Sequence, residues 1–153
     1  MTAIQFPVVA TTTLTDAQIK TLPSSAVELL AAPGAGKAIV VLSAILVIDT
    51  MAGVYTNCDG TTCKLSLNYE NDNEDPATQP ADENSELFLS ITPAVSSAQL
   101  LPAGAHQTYA NVNNDIDNKG IAIGLDNGIS GNLTGGNAAN SLTVSVVYIV
   151  INV

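Results

Sequence analysis

The sequence predicts an all-β protein, a β-sandwich or jelly roll of about eight to nine antiparallel strands. Short segments rich in valine, isoleucine, leucine, threonine and alanine alternate with turn residues, and almost none keeps the 3.6-residue period of an amphipathic helix. The chain contains no tryptophan, two phenylalanines and four tyrosines, so branched aliphatic residues must fill the core. Such residues favour strands, because their χ1 restriction suits a pleated surface.

Length and charge limit the domain organisation and the partners. The 153 residues correspond to one domain, which we divide into an N-terminal arm or edge strand over 1–15 and a sandwich over 16–153. The net charge is -10, with four basic residues, all of them lysines. Nucleic-acid affinity comes mainly from Lys and Arg that neutralise phosphates, so nucleic acid and anionic membranes are excluded as partners.

The beginning of the chain and its most apolar stretch predict a protein that is made in the cytosol. No basic residue precedes Lys20, so neither a secretory signal nor a transit peptide is expected. The most apolar stretch, Ala38 to Ile48, is interrupted by Ser43 and is shorter than the roughly 20 residues of a membrane helix. It is therefore predicted to be a buried strand.

The N-terminal elements follow from proline and capping signals. Residues 4–12 predict an arm or edge strand, because Pro7 has no N–H for a central ladder. Thr15-Asp16 can cap a helical turn over Ala17 to Leu22, with Pro23 closing it. This turn is the one helix that the sequence predicts.

Two further strands are predicted next, at Ser25 to Ala32 and at Lys37 to Asp49. Proline and glycine in Pro33-Gly-Ala-Gly36 suit a tight reversal between them. The following Lys37 gives the reversal a superficial likeness to a phosphate-binding loop. That motif needs a glycine at Ala31 and a hydroxyl residue at Ala38, so a turn is the better interpretation.

The two cysteines favour a hairpin of Thr50 to Cys58 with Thr61 to Tyr69. Asp59-Gly60 is a turn signal, and the four-residue loop would place Cys58 opposite Cys63. A disulfide and a pair of half-buried thiols both remain open. Zinc is not expected, because two cysteines and a single histidine do not supply four ligands within one motif.

An acidic loop is predicted at Glu70 to Glu86, which holds seven of the 14 acidic residues and no lysine. We expect it to be solvated, since nothing in it can offset the entropy of ordering. No assignment is made for 94–114. The later segments are strands at Glu86 to Thr92, Gly120 to Leu125 and Ser141 to Val153, with a Gly/Asn loop at Asp126 to Asn140.

The last strand has a clear division of its faces. One face takes the even-numbered residues from Leu142 to Val150, and the other takes the odd-numbered residues from Thr143 to Ile151. The second half of the strand is apolar on both faces. This predicts a sheet that is covered by a second sheet or by a neighbouring subunit.

No catalytic, cofactor-binding or metal-binding residues are predicted, and the protein is not expected to be an enzyme. His106 lies near no recognisable nucleophile motif. Glu28 and Asp49 could form a carboxylate pair for glycoside hydrolysis, but the chain has no tryptophan for a sugar platform.

Calcium is the strongest of the weak ligand candidates and stays open. Asp115, Asp117, Gly120 and Asp126 match positions of an EF-hand loop, but Lys119 occupies a ligand position and flanking helices are not predicted. The acidic loop offers further oxygen ligands, although solvated acidic loops are far commoner than calcium sites.

Two sequence motifs in the chain, called phrases below, resemble motifs of a known protein family. The first is Leu14-Thr-Asp16-Ala-Gln-Ile-Lys20 followed by Val27-Glu-Leu-Leu-Ala-Ala-Pro33-Gly-Ala-Gly36-Lys37. The second is Leu133-Thr-Gly-Gly-Asn137-Ala-Ala-Asn140-Ser-Leu-Thr-Val-Ser-Val-Val-Tyr148. They resemble small tailed-bacteriophage capsid decoration (cement) and head-fibre-related proteins. The resemblance covers somewhat under half of the chain and leaves Thr50 to Asn127 without a match.

This resemblance implies a structural protein of the virion. A β-sandwich or jelly-roll decoration protein, as a homotrimer, would bind the major capsid protein on the outside of an icosahedral head and stabilise the shell. It supplies no catalytic residues. We expect the arm, Met1 to Thr15, to face the shell and the acidic loop to point outward.

Three other functions remain open on the sequence. The first is a phage fibre or a receptor- or glycan-binding module, which uses similar folds. The second is a carboxylate-dependent hydrolase, which would need acidic residues with raised pKa values in one cleft. The third is a secreted or periplasmic β-protein unrelated to phages, whose N-terminus would have been processed.

Overall fold

The computed structural model describes residues 6–49, 53–57, 64–69, 86–88, 97–101, 118–126 and 131–153. Two four-stranded antiparallel sheets hold most of these residues, so the predicted all-β class is confirmed. Eight strands form the two sheets, and two very short strands form a separate ribbon. Among the described residues no helix is long and apolar enough to span a membrane.

The first sheet has the order β1-β10-β3-β7. Strand β1 lies at its edge and pairs with β10 from Val8 opposite Tyr148 to Thr15 opposite Ser141. Its four strands are β1 Val8–Thr15, β3 Lys37–Asp49, β7 Ser97–Leu101 and β10 Ser141–Asn152. The long strands β3 and β10 pair over their whole length, with an irregularity between Val147 and Tyr148.

The second sheet has the order β2-β8-β5-β6. Its four strands are β2 Val27–Leu30, β5 Lys64–Tyr69, β6 Glu86–Phe88 and β8 Ile121–Asp126. Strand β8 lies between β2 and β5, and residues 121–125 are buried. The hydroxyl of Tyr69 in this sheet donates a 2.7 Å hydrogen bond to the carbonyl oxygen of Ile39 in the first sheet. The two sheets therefore meet around one core.

Helix α1, Asp16–Thr21, is the predicted helical turn, and it has a complete capping box. The Thr15 hydroxyl accepts from the backbone N–H of Gln18, and the Gln18 side chain accepts from the N–H of Thr15. Both bonds satisfy amide groups that a helix start would otherwise leave unpaired. The buried Ile19 fixes the helix to the core.

The core is aliphatic, as the composition predicts. In β10 the buried positions Leu142, Val144 and Val146 alternate with half-buried ones, which confirms the predicted division of its faces. Their partners in β3 are buried as well. The fully buried large side chains come from both sheets and from the helical region: Leu14, Ile19, Leu22, Ile39, Leu46, Ile48, Leu65, Leu67, Ile121, Ile123 and Leu142.

The structure corrects the predicted reversal at Pro33-Gly-Ala-Gly36. Gly34 and Gly36 have positive φ angles of 98° and 73°, and the N–H of Lys37 bonds to the carbonyl oxygen of Gly34. The turn is real, but β2 and β3 belong to different sheets. It carries the chain from β2 in the second sheet to β3 in the first.

The predicted cysteine hairpin is wrong in its described parts. Strand β4, Tyr55–Thr56, pairs with β9, Thr134–Gly135, inside the segment predicted as a Gly/Asn loop. Strand β5 pairs with β6 and β8 instead. Cys58 and Cys63 lie outside the described residues. Most of the acidic loop, 70–85, and the segments 89–96 and 102–117 do so too.

Candidate functional site

The candidate residues from the sequence are not brought together. Glu28 lies on β2 in the second sheet, and Asp49 ends β3 in the first. His106 and the first two residues of the calcium-like series, Asp115 and Asp117, fall outside the described residues. Within the described ranges no group of three or more His, Cys, Asp or Glu side chains could hold a metal ion.

The structure instead places a half-buried carboxylate at one end of the sandwich, at Asp16. Its Oδ2 accepts a 2.7 Å bond from Nζ of Lys20, and its Oδ1 accepts a 3.0 Å bond from the hydroxyl of Tyr55. The backbone N–H of Asn137 also bonds to this carboxylate. Asp16 therefore joins α1, β4 and the turn that follows β9.

A hydrogen bond lowers the pKa of Asp16, and burial raises the pKa of Tyr55. The hydrogen bond from Lys20 lowers the pKa of Asp16 below its usual 3.8, against the opposing effect of burial. Burial raises the pKa of Tyr55 to about 12; the neighbouring Asp16 carboxylate also raises it, and the side-chain amide of Asn140 lowers it. A carboxylate held ionised beside a phenol held protonated does not suit proton transfer near neutral pH. The cluster therefore fits a structural role. We call its four residues, Asp16, Lys20, Tyr55 and Asn137, the joint.

Two glycines in the phrase Thr134-Gly-Gly-Asn137 allow the joint to close. A Cβ on Gly136 would lie 2.5 Å from Cε1 of Tyr55 and 2.6 Å from Oδ1 of Asp16. Gly135 and Gly136 also have φ angles of 72° and 70°, a region that side chains other than glycine rarely adopt. The two phrases that carry the family resemblance thus meet in space at this joint.

Further bonds tie the same end together. The N–H of Leu133 donates to the carbonyl oxygen of Lys20, and the Ser24 hydroxyl donates to Oδ1 of Asn132 over 2.7 Å. The side-chain amide of Asn140 donates to the carbonyl oxygen of Gly53. Helix α1, the β4–β9 ribbon and the 131–140 segment form one hydrogen-bonded unit.

The outer face of the first sheet is the second feature that bears on function. Cross-strand partners share a face, so Thr11 stands beside Ser145 and Thr13 beside Thr143. Their hydroxyl oxygens are 2.9 Å and 3.1 Å apart. On β3 the same rows continue into Ile45 and Val47, which are 46% and 42% exposed. This part of the face mixes hydroxyl and methyl groups.

One end of the first sheet is apolar and exposed. Phe6 is 77% exposed, Val9 is 64% exposed, and Val8 and Val153 are also exposed. The half-buried residues of β10 between Tyr148 and Ile151 lie beside them. Of these, Tyr148 and Val150 pack against the core. We call the remaining group the apolar end; it consists of Phe6, Val8, Val9, Ile149, Ile151 and Val153.

The two strands that build the apolar end carry no charged residue. Neither β1 nor β10 contains an aspartate, glutamate or lysine, although the chain has a net charge of -10. A neutral, apolar surface on an acidic protein lets another protein approach without charge repulsion or a desolvation cost. The apolar end is therefore the best candidate for a binding surface among the described residues.

Comparisons with known proteins give one structural likeness. No protein-family model matches the chain, and no curated protein matches it significantly. The chain is similar to a chain in the solved structure titled "Capsid of Ralstonia phage GP4", with 15% sequence identity and a TM-score of 0.42. The similarity covers 95% of this chain and 84% of that chain. At this identity and TM-score, the likeness assigns neither a family nor a function.

The sequence did not predict the joint around Asp16 or the apolar end. Asp16 was expected only to help cap a helix, and Tyr55 lies 39 residues away, so nothing local indicates their bond. The Gly135-Gly136 pair was the available signal, since adjacent glycines often mark a close backbone approach. For the apolar end, the signal was the last strand, which is apolar on both faces.

Proposed function

We propose that this chain is a structural protein of a bacteriophage virion, a decoration (cement) protein that binds the outside of the head and stabilises the shell. The observation that carries the proposal is the apolar end, an exposed hydrophobic surface on two uncharged strands. The resemblance of two sequence phrases to phage decoration and head-fibre-related proteins supports it. The partner on this proposal is the major capsid protein, and the location is the exterior of the capsid.

A small binding surface can suffice on a shell of many identical subunits, because many weak contacts form at once. The apolar end offers a handful of side chains, fewer than the roughly 20–30 residues per partner of a standard stable interface. A single contact of this kind is weak. A homotrimer that touches several shell subunits at once gains by effective concentration, so modest contacts add up to firm attachment.

The proposed role is not enzymatic, and the chemistry of the Asp16 carboxylate supports this. Asp16 is bonded to Lys20, Tyr55 and the backbone of Asn137, and its pKa is lowered. A general acid would need a raised pKa and access to a substrate. The joint instead holds the end of β1 in place, since Asp16 follows β1 directly.

Head binding of a charged variant tests the proposal. Undecorated heads are mixed with the protein and pelleted, and the bound protein is measured against its concentration. We expect saturable binding by the native chain. Val9→Lys should weaken it about ten-fold or more, because a buried lysine without a partner is costly in an apolar contact.

Val47→Lys is the matched control, since Val47 is an exposed valine on the same face of the same sheet but belongs to β3. It should bind as the native chain does. Deletion of residues 1–6 should lower occupancy while the fold is kept, and the mass in solution should be that of a trimer. A native chain that never pellets with heads contradicts the cement function. Equal effects of the two lysine variants contradict the assignment of the apolar end.

A further inference from the structure

Most of strand β1 buries no side chain. Leu14 is the one buried residue of the strand, and residues 8–13, which we call the edge segment, are exposed or half-buried. Over the same stretch the opposing strand β10 buries Val144 and Val146. Because apolar burial adds little to its attachment, the edge segment is held mainly by its backbone ladder with β10.

The side-chain contacts of the edge segment are weak as well. The hydroxyl groups of Thr11 and Ser145 meet on the exposed face of the sheet, where water competes for the same bonds. Strand β1 also stands first in the order β1-β10-β3-β7. Among the described strands, its release therefore breaks one ladder only.

The chain just after the edge segment is anchored on its own. Leu14 is fully buried, and helix α1 follows β1 without a loop and buries Ile19. Asp16 accepts hydrogen bonds from Lys20 and Tyr55. A backbone rotation between residues 13 and 14 therefore redirects the edge segment while the joint and the core stay in place.

An identical copy can supply the same ladder. If the edge segment of one subunit pairs with β10 of a neighbour, from Val8 opposite Tyr148 to Thr13 opposite Thr143, every backbone contact is kept. Exchange of an identical element is a low-cost route to oligomers, since contacts within a chain are replaced by the same contacts between chains. Six residues of strand span about 20 Å, which is enough to reach a subunit that lies alongside.

Charge also permits a second copy at this edge. Neither β1 nor β10 contains a charged residue, although the chain has a net charge of -10. Two copies of an acidic protein repel each other over most orientations. At these two strands they can meet without adding like charges to the contact.

We propose that the edge segment is exchanged between subunits of the homotrimer, so that each subunit completes the first sheet of the next. This inference rests on the homotrimer of the proposed function and names the contact that holds it together. The apolar end is then shared by two chains. One chain contributes Phe6, Val8 and Val9, and the other contributes Ile149, Ile151 and Val153. Assembly of the oligomer and binding to the head thus depend on the same strand.

Cross-linking at one strand pair tests the exchange. Thr11→Cys and Ser145→Cys together place two thiols where the hydroxyl oxygens are 2.9 Å apart. Both are introduced into the full chain with Cys58→Ser and Cys63→Ser, and a short bismaleimide reagent joins the new thiols. We expect covalent multimers of up to three chains on a denaturing gel. Cross-links confined to single chains overturn the exchange.

Mixing two single-cysteine variants gives an independent measurement. Chains with Thr11→Cys and chains with Ser145→Cys, refolded together from urea, can be linked efficiently only if β1 of one lies on β10 of another. Ser25→Cys is the matched control, because Ser25 is exposed and lies outside both strands. We expect about ten-fold more linked pairs with Ser145→Cys than with Ser25→Cys, since pairing raises the local thiol concentration. Equal amounts would reflect random collision and would count against the exchange.

Head binding separates this inference from the decoration function. Cross-links within single chains, in a protein that still pellets saturably with heads, overturn the exchange and leave the decoration function standing. A native mass of one chain in solution overturns the exchange too. Cross-links between chains of a protein that never pellets with heads support the exchange and contradict the decoration function.

Discussion

The hydroxyl of Tyr55 donates a 3.0 Å hydrogen bond to Oδ1 of Asp16, across 39 residues of sequence. Tyr55 is buried, and it stands on a strand of only two residues that pairs with β9. The bond therefore connects a short ribbon to the helix that follows β1. The stability of this end of the sandwich should depend on it.

Tyr55→Phe removes this donor and keeps the ring. We expect a loss of about 1.5–3 kcal/mol in the free energy of unfolding, the usual range for a hydrogen bond to a charged group. Urea unfolding followed by circular dichroism measures it. Tyr148→Phe is the matched control, because Tyr148 is half-buried and no described residue bonds to its hydroxyl. A similar loss in both variants would contradict the role of the Asp16 bond.

The charge of Asp16 should make stability dependent on pH. Its pKa is lowered in the folded protein, chiefly by the hydrogen bond from Lys20. Its contribution is therefore present above the unfolded pKa, near 4, and is lost as the pH falls through the lower folded value. Asp16→Asn keeps an oxygen acceptor but removes the charge.

We expect the native chain to exceed Asp16→Asn in stability at pH 7, with a difference that shrinks steadily between about pH 5 and pH 2. Unfolding free energies at several pH values give this difference directly. The other carboxylates contribute equally to both proteins and cancel. A difference that is constant over this range would show that the folded carboxyl titrates as it does in the unfolded chain.

Gly136→Ala should be strongly destabilising. A Cβ there meets both Tyr55 and Asp16 within 2.6 Å, and the φ angle of 70° adds backbone strain. Gly34→Ala isolates the strain, because its φ angle is 98° and its surroundings are open. We expect about 1–2 kcal/mol for Gly34→Ala and clearly more for Gly136→Ala. Thermal unfolding of both variants measures these losses. Equal losses would mean that Tyr55 and Asp16 shift to make room for the added methyl group.

Alanine substitutions at adjacent positions on β3 should differ sharply in their effect on stability. Leu46 is fully buried, and the next residue, Val47, is exposed on the outer face. Leu46→Ala should cost about 2–5 kcal/mol through lost burial and a cavity. Val47→Ala should stay within about 0.5 kcal/mol, as surface changes do. Chemical denaturation measures both, and similar costs would contradict the assignment of the two faces.

The most regular parts of the fold could be predicted from the sequence. The long strand β3 has the predicted boundaries, Lys37–Asp49, and helix α1 begins one residue before the predicted turn. Both have strong local signals, an uninterrupted branched-aliphatic run in one case and a capping residue in the other. Strand β10 followed the prediction because alternation over many residues fixes which face is buried.

Pairing between strands was harder to predict. Consecutive strands were expected to form hairpins at Pro33-Gly-Ala-Gly36 and at the cysteines, but β2 pairs with β8, and β4 pairs with β9. Turn residues show that the chain changes direction and not which strand it meets next. Strand β7 was not predicted, since Ser97–Leu101 has neither alternation nor bounding glycines.

By itself the sequence determined the all-β class, the aliphatic core and the burial pattern of its longest strands, because these depend on composition and on the two-residue period. Only the tertiary structure decided that Asp16 meets Tyr55 and that Gly136 leaves room for both. It also decided that β1 pairs with β10 at the edge of the first sheet and that β2 and β3 lie in different sheets. These features are set by contacts between residues far apart in the chain, whose energies depend on which strands pair.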